Sequence, residues 1–429
     1  MRMASWPGDP GAGREARASS RVAVGPSGRY NARMDIPALQ RALAEQKLDG
    51  WLLYDFHGQN PTALTALGLA GRMLTRRWYY LVPARGEPQL LVHAIELGSF
   101  PRDVQGQRRG YASWQSLQAA LKELFGALPP SPRLAMEYCP QAAIPALSRV
   151  DAGTLEVIRG LGATVVSSAE LVQHFLCRWS ESQVESHRRA LKVIDEAKDA
   201  AFARIGEQLR AGTGPTETGI QRFLTDRFHE AGLEYDHAPI VAVNGHAGDP
   251  HYEPSDATPT PIRKGDLVLI DLWARPTGPD DVYADITWMG FCGDRPAAKM
   301  EQIFRAAADG RDAGLAQLER AHAAGQTLQG WQVDRTVRDS ITAAGFGDRF
   351  IHRTGHSIGV QVHGDGANLD DLETHDTRPL VTGLAFSIEP GIYLPDEGMG
   401  VRTEIDVVLR PEGPRVYSKV QQELVRIPV

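Results

Sequence analysis

The sequence predicts an α+β protein built in two parts, and three observations predict it. Residues 35 to about 176 alternate helix-like and strand-like patterns. Around RWSESQVES the pattern gives way to a long amphipathic helix. Beyond it, apolar runs are separated by short turn segments, which favours antiparallel pairing. The chain of 429 residues is long enough for two or three domains. The expected units are an extension over 1–34, an α/β domain over 35–176, a linker over 177–186 and an α+β domain over 187–429.

Residues 1–33 are rich in Gly, Ala, Ser, Pro and Arg and lack the apolar core of a secretory signal. They read as a disordered extension, and Met34 as the natural start. DIPALQRALAEQ reads as a helix broken at Asp49-Gly50, and WLLYD as a buried strand. RWYYLVP and QLLVHAI flank a connection containing Gly86 and Pro88, a hairpin signal, and RLAMEY is another strand. Ser180 is placed to cap the long helix, whose apolar positions are Val184, Leu191, Ile194, Ala201, Ile205 and Leu209. Gly212 and Gly214 end it, and a second helix follows Pro215 to about Gly232. Two more helices are expected near 297–323 and 331–344. Strands are expected in PIVAVN, DLVLIDLWA, DVYADITWM, LAFSIEPGIYL and VRTEIDVVLR.

Composition removes several function classes. Lys+Arg at 46 against Asp+Glu at 53 gives a net charge of −7, the wrong sign for a nucleic-acid or anionic-membrane partner. No apolar run approaches the ~18 residues of a membrane-spanning helix. Cys139, Cys177 and Cys292 form no CxxC pair, so they suggest a reducing, cytoplasmic setting and neither a disulfide frame nor a thiolate zinc site. The glycine-rich run at 355–366 lacks the lysine of a phosphate loop.

The chemistry lies in acidic and histidine residues inside strands, where apolar residues are the norm. Asp271 stands in VLIDLWA, Asp285 in YADITW, Glu389 in FSIEPGIY and Glu404 in VRTEIDVV. A buried lone carboxylate costs several kcal/mol, so each needs a cation or a proton. Four such sites with few bases nearby point to metal, and His356 in TGHSIG offers a nitrogen ligand. A single strand carboxylate is ordinarily a solvent-facing residue and a single histidine a hydrogen-bonded structural one; four such carboxylates and a histidine together in one domain are not. Four carboxylates and one imidazole match two divalent cations, and the oxygen-rich set suits manganese, with zinc and cobalt as alternatives. Two such ions ~3.5–4 Å apart hold a bridging hydroxide as nucleophile.

At these residues the chain resembles the pita-bread metallopeptidases, the family of prolidases, aminopeptidase P, methionine aminopeptidases and creatinase. The resemblance covers nearly all of 35–429 and rests on Gly355-His356-Ser357-Ile358-Gly359, His363, Ile388-Glu389-Pro390-Gly391-Ile392-Tyr393 and Gly400-Val401-Arg402-Thr403-Glu404, in that order. It implies a curved antiparallel sheet flanked by helix pairs, with a creatinase-type α/β domain before it. It implies that Asp271 binds one metal, that Asp285 and Glu404 bridge both ions, and that His356 and Glu389 complete the second ion's shell. Glu389 would also carry the proton from water to the leaving nitrogen. His251, in PHYEP, and His363 would hydrogen-bond substrate or intermediate. Arg402 would orient Glu404 or meet a substrate carboxylate. A homodimer is implied as well.

Three departures from the family pattern bear on the pocket. The usual Asp-x-Gly at the first ligand is Asp271-Leu272-Trp273, the second ligand lies in Ala284-Asp285-Ile286-Thr287-Trp288, and Gly364-Asp365-Gly366 follows His363. His246 is a weaker candidate for the pocket, and His352 and His375 read as structural or solvent-exposed. The expected activity is hydrolysis of the Xaa-Pro bond of dipeptides. Alternatives are an Xaa-Pro aminopeptidase acting on longer peptides, a non-catalytic scaffold, and a creatinase-like amidinohydrolase; the full ligand set argues against the last two.

Overall fold

A computed structural model describes residues 34–429; the expected extension therefore lies outside the described residues, except for Met34. The first part of the chain runs α1 (Ile36–Glu45), β1 (Gly50–Asp55), α2 (Pro61–Ala66), β2 (Trp78–Pro83), β3 (Gln89–His93), β4 (Gln107–Tyr111), α3 (Trp114–Gly126), β5 (Arg133–Met136), α4 (Ala152–Gly160), β6 (Thr164–Ser167) and α5 (Ala169–Leu176). Its six strands form one sheet in the order β4-β3-β2-β1-β5-β6. The expected hairpin is the antiparallel β2–β3 pair, with Trp78 opposite Val92. Both faces of this sheet are apolar. Trp51 and Leu53 pack toward α1, α2 and α5; Leu52 and Tyr54 pack toward α3 and α4. That two-sided burial explains the unbroken apolar run of WLLYD. Helix α1 stops at Glu45, earlier than Asp49-Gly50, because Lys47 already turns into the left-handed region at φ 55°.

The second part runs α6 (Glu181–Ala211), α7 (Glu217–Glu230), β7 (Leu233–Glu234), β8 (Ile240–Val243), β9 (Leu267–Pro276), β10 (Ala284–Cys292), α8 (Ala298–Ala323), α9 (Gly330–Ala343), β11 (Ala385–Ile388), β12 (Gly391–Leu394), β13 (Met399–Arg402), β14 (Ile405–Arg410), β15 (Gly413–Val416) and β16 (Val425–Ile427). Helix α6 begins in a capping box between Ser180 and Gln183 and ends at Gly212, whose φ of 68° suits glycine. Of its expected apolar positions, five are buried and Leu209 is only partly covered.

The alternation of β9 decides the layout. Val268, Ile270, Leu272 and Ala274 face α6 and α7. Leu267 and Leu269 face α8 and α9. The same face continues through Asp271 and Trp273, because side chains two apart along a strand share a face. The strands pair antiparallel, apart from β16, which joins β10 in parallel. Two expected strands are broken. LAFSIEPGIYL divides into β11 and β12 around Glu389-Pro390, and VRTEIDVVLR divides into β13 and β14 around Thr403-Glu404. Pro390 has no N–H to continue a ladder, so the hairpin bends there and passes from one sheet to another: β11 pairs with β14, and β12 with β13.

The two parts touch near the loop that carries His363. Thr62 Oγ1 donates to Asp365 Oδ2 at 2.9 Å, and the Ala367 amide donates to Gln173 Oε1 at 3.1 Å. Among the described residues no helix is long and apolar enough to cross a membrane.

Candidate metal centre

Strand register builds the site. Asp271 lies opposite Thr287, and Asp285 opposite Trp273, so all four share one face of the β9–β10 pair. In the bent hairpin, Ile388 pairs with Ile405 and Gly391 with Arg402, which sets Glu389 opposite Glu404 at the bend. Like charges directly across a strand pair repel. An amide-to-carbonyl bond from Glu404 to Thr287 (3.2 Å) and a hydroxyl-to-carboxylate bond from Thr287 Oγ1 to Glu404 Oε2 (2.7 Å) draw the hairpin onto β10. His356 arrives on a segment bridged to β11 through Ser357 and Phe386.

Ligand atoms of Asp285, His356 and Glu404, all buried, lie within 4.8 Å of one another. His356 Nδ1 faces the Ser357 carbonyl at 3.2 Å, leaving Nε2 turned inward, 3.6 Å from Asp285 Oδ2 and 3.3 Å from Glu389 Oε1. A ligating histidine is commonly held this way by its other ring nitrogen. Ser387 Oγ donates to Glu389 Oε1 at 3.0 Å. Asp271 is turned toward Arg402, whose guanidinium binds its Oδ2 and also reaches Tyr393 Oη at 3.1 Å. Arg402 thus holds Asp271 directly, and its Nε reaches Thr287 Oγ1 at 3.4 Å, the hydroxyl that donates to Glu404.

Charge is unbalanced here in a way that a cation would correct. Asp285 Oδ1 and Glu404 Oε1 are buried with no hydrogen-bond partner among the described residues. Burial, followed by the carboxylates around them, drives both acids well above the ordinary carboxylate range. Burial also opposes the charge of Glu389, but His356, His352 and Arg402 outweigh it and hold this acid below its usual value. Burial lowers His356. Orphaned oxygens, inward imidazole nitrogen and mutually repelling acids are what a divalent ion needs, so the residues fit a metal.

All of Asp271, Asp285, His356, Glu389, Glu404, His251, His363 and Arg402 line one pocket of about 700 Å³. His251 is exposed at its rim. His363 packs edge-on against His356 with ring centres 4.3 Å apart. Its buried side and the neighbouring imidazole push its pKa down to about 4, so it stands neutral. His246 lies elsewhere, bonded to Glu217 at 2.9 Å and stacked on Tyr252. His375 is exposed beside Asp371.

Sequence reasoning passed over several residues of this pocket. His352 is hydrogen-bonded as a structural residue, with Nε2 2.8 Å from Tyr393 Oη, yet it also lines the pocket. Arg353 lines it too and faces Glu373 at 3.6 Å; its place three residues before His356 was the available signal. Asp236 carries no motif that announces it. Asp406, two residues past Glu404, accepts the Asp285 amide at 2.8 Å and so anchors that strand.

The profile of metallopeptidase family M24 matches residues 185–411, more than half of the chain. The chain belongs to metallopeptidase family M24. Among its relatives is a probable dipeptidase PepE of Mycobacterium tuberculosis, 29% identical over 282 residues, covering 64% of this chain and 67% of the relative. An Xaa-Pro dipeptidase of Lactobacillus delbrueckii subsp. lactis is 30% identical over 261 residues, 61% of this chain and 65% of the relative. The crystal structure of dipeptidase PepE from Mycobacterium ulcerans superposes with a TM-score of 0.72 at 24% identity, over 94% of this chain and 100% of that one. The fold is therefore the pita-bread fold of this family, and membership makes the protein a metal-binding peptidase.

Proposed function

We propose that this M24 peptidase is a dinuclear-metal Xaa-Pro dipeptidase, acting as a homodimer in the cytoplasm. The supporting observation is the convergence of Asp285, His356 and Glu404 around two orphaned buried oxygens, with Glu389 Oε1 3.3 Å from the His356 imidazole. In this reading Asp271, Asp285, His356, Glu389 and Glu404 would together hold two divalent ions. The oxygen-rich donor set favours manganese. When bound, the ions supply Lewis acidity that lowers the pKa of a water and polarises the scissile carbonyl.

The side chains then do the proton work. Glu389, held as a carboxylate, takes a proton from the attacking water as its oxygen bonds to the carbonyl carbon. It returns that proton to the proline nitrogen as the C–N bond breaks, so a secondary amine leaves. His363 and His251 donate hydrogen bonds to the oxygen on which negative charge develops. Arg402 fixes the direction of Asp271 through the buried ion pair. A proline nitrogen carries no N–H in the peptide and so offers no donor for an enzyme to grip; like any amide nitrogen it leaves once protonated, and in this reading Glu389 supplies that proton.

The deciding assay compares Ala-Pro with Ala-Pro-Ala on manganese-loaded protein, beside metal analysis of the purified chain. Fast dipeptide cleavage with bound metal is expected. Fast tripeptide cleavage with a poor dipeptide rate would instead assign an Xaa-Pro aminopeptidase, and protein that neither binds nor needs a divalent ion would remove the peptidase mechanism.

A further inference from the structure

Glu217 is a buried acid at the first position of α7, outside the metal centre, and the mechanism gives it no task. Its carboxyl group gathers one stretch of chain. The Val243 amide, at the end of β8, donates to Oε1 at 2.7 Å, and His246 Nδ1 lies 2.9 Å from the same oxygen. Tyr252 Oη donates to Oε2 at 2.5 Å. Burial and this neighbouring acid push the tyrosine pKa up to about 12, so its hydroxyl keeps the proton it donates. The Tyr252 and His246 rings stack with centres 4.2 Å apart. A buried acid satisfied in this way fixes whatever its donors belong to.

These donors belong to the loop that leaves β8 at Val243 and carries His251, the residue just before Tyr252, at the rim of the pocket. Glu217 therefore grips this loop where it departs, at its middle and immediately past the histidine. Within the loop, Asp249 Oδ1 accepts the His251 amide at 3.0 Å, and the Asp249 carbonyl accepts the Tyr252 amide at 3.1 Å. The tether on Tyr252 thus passes to the His251 backbone with little slack. The other side of the loop rests on β13, the strand of Arg402: a Cβ at Gly400 would stand 2.0 Å from the Ala247 carbonyl oxygen. The loop is held between α7 and the hairpin of the metal centre.

We infer that Glu217 is the positioning residue for His251: through Val243, His246 and Tyr252 it sets the loop so that the histidine stands at the pocket rim. A hydrogen bond to developing charge counts only when donor and oxygen are aligned, and a misplacement of about 1 Å costs roughly 10²-fold in rate. This assignment rests on the proposed role of His251 as that donor and names what holds the donor in place.

The test is a double-mutant cycle on manganese-loaded full-length protein: wild type, Glu217→Ala, His251→Ala and the two together. For each, kcat and KM for Ala-Pro, metal content and hydrogen–deuterium exchange over residues 244–252 are measured. Glu217→Ala lowers kcat by about tenfold or more, and by no more than His251→Ala does, with KM less changed and metal content intact. The double variant is no slower than His251→Ala alone, since a displaced loop costs nothing once the histidine is gone. Tyr252→Phe, which keeps the ring stack and loses one donor, shows a smaller loss of the same kind and replaces Glu217→Ala should that variant not fold. Losses that multiply in the double variant, or lost metal, overturn the inference, because Glu217 then serves the fold at large. An unimpaired Glu217→Ala beside a slow His251→Ala overturns the inference alone; a His251→Ala as fast as wild type removes the role of His251 and the inference with it. If wild type leaves Ala-Pro intact, the dipeptidase reading fails by itself, and the same cycle is read on Ala-Pro-Ala. If it cleaves neither peptide, exchange decides: faster exchange confined to 244–252 in Glu217→Ala supports the clamp, and unchanged exchange there overturns it.

Discussion

Glu137, in the first part of the chain, and the Asp285–Glu404 pair, in the second, are all buried carboxylates, but they are treated differently. Glu137 accepts from Trp51 Nε1 at 2.7 Å, Asn60 Nδ2 at 2.8 Å and Ser168 Oγ at 3.0 Å, a set of neutral donors drawn from three separate segments. Burial raises its pKa while these bonds pull the other way. Asp285 and Glu404 each keep one buried oxygen with no partner among the described residues and face other acids. A satisfied buried acid stitches a core together. An unsatisfied one, repeated at neighbouring positions, marks where a cation belongs.

The strongest way to break this contrast is Asp285→Asn or Glu404→Gln. Either should abolish peptidase activity and release bound metal, measured by elemental analysis; retained metal in both variants would refute the cage. Next, Glu389→Gln should lower kcat by roughly 10²–10⁴, with weaker metal binding. His363→Ala is expected to cost roughly 10²–10³ in kcat with metal content intact; an equal loss of metal would mean that His363 acts as a ligand. Smaller still, Glu137→Ala should leave metal content and kcat untouched and cost ~1–3 kcal/mol of stability by stranding its donors, read as a lowered melting temperature. Loss of metal in that variant would erase the distinction.

A last test sharpens the contrast through pH and leaves the metal centre untouched. His187 is wholly buried, bonded through Nδ1 to the Tyr283 carbonyl at 2.9 Å, and burial pushes its pKa down to about 4. A depressed histidine contributes stability that is complete above its unfolded pKa of about 6.5 and lost as pH falls toward 4. The urea midpoint of wild type should therefore fall between pH 6.5 and 4 more steeply than that of His187→Asn.

The sequence made the site legible because carboxylates inside apolar strands are conspicuous, and Asp271, Asp285, Glu389 and Glu404 all stand that way. The α+β class and the long capped helix α6 were equally readable, since Ser180, Gln183 and Gly212 carry local signals. What could not be read depends on pairing across the chain. The bends at Pro390 and Thr403 split two apparent strands because the hairpin changes partners, a fact held in the register and not in either segment. Arg402 was expected beside Glu404 or a substrate carboxylate; its guanidinium reaches 131 residues back to Asp271. Asp236 carries no pattern, and its bond to Trp273 exists only once β9 is in place.

The bent hairpin has a consequence for how this protein can vary. Glu389 and Glu404 meet because equal lengths of chain run from each to the tip at 395–398. Removing or adding one residue on one arm would shift the pairing by a step and turn one glutamate's side chain to the opposite surface. The arms are thus a ruler whose two ends must match: side chains along them can change while the two glutamates still meet, but the length of one arm cannot change alone.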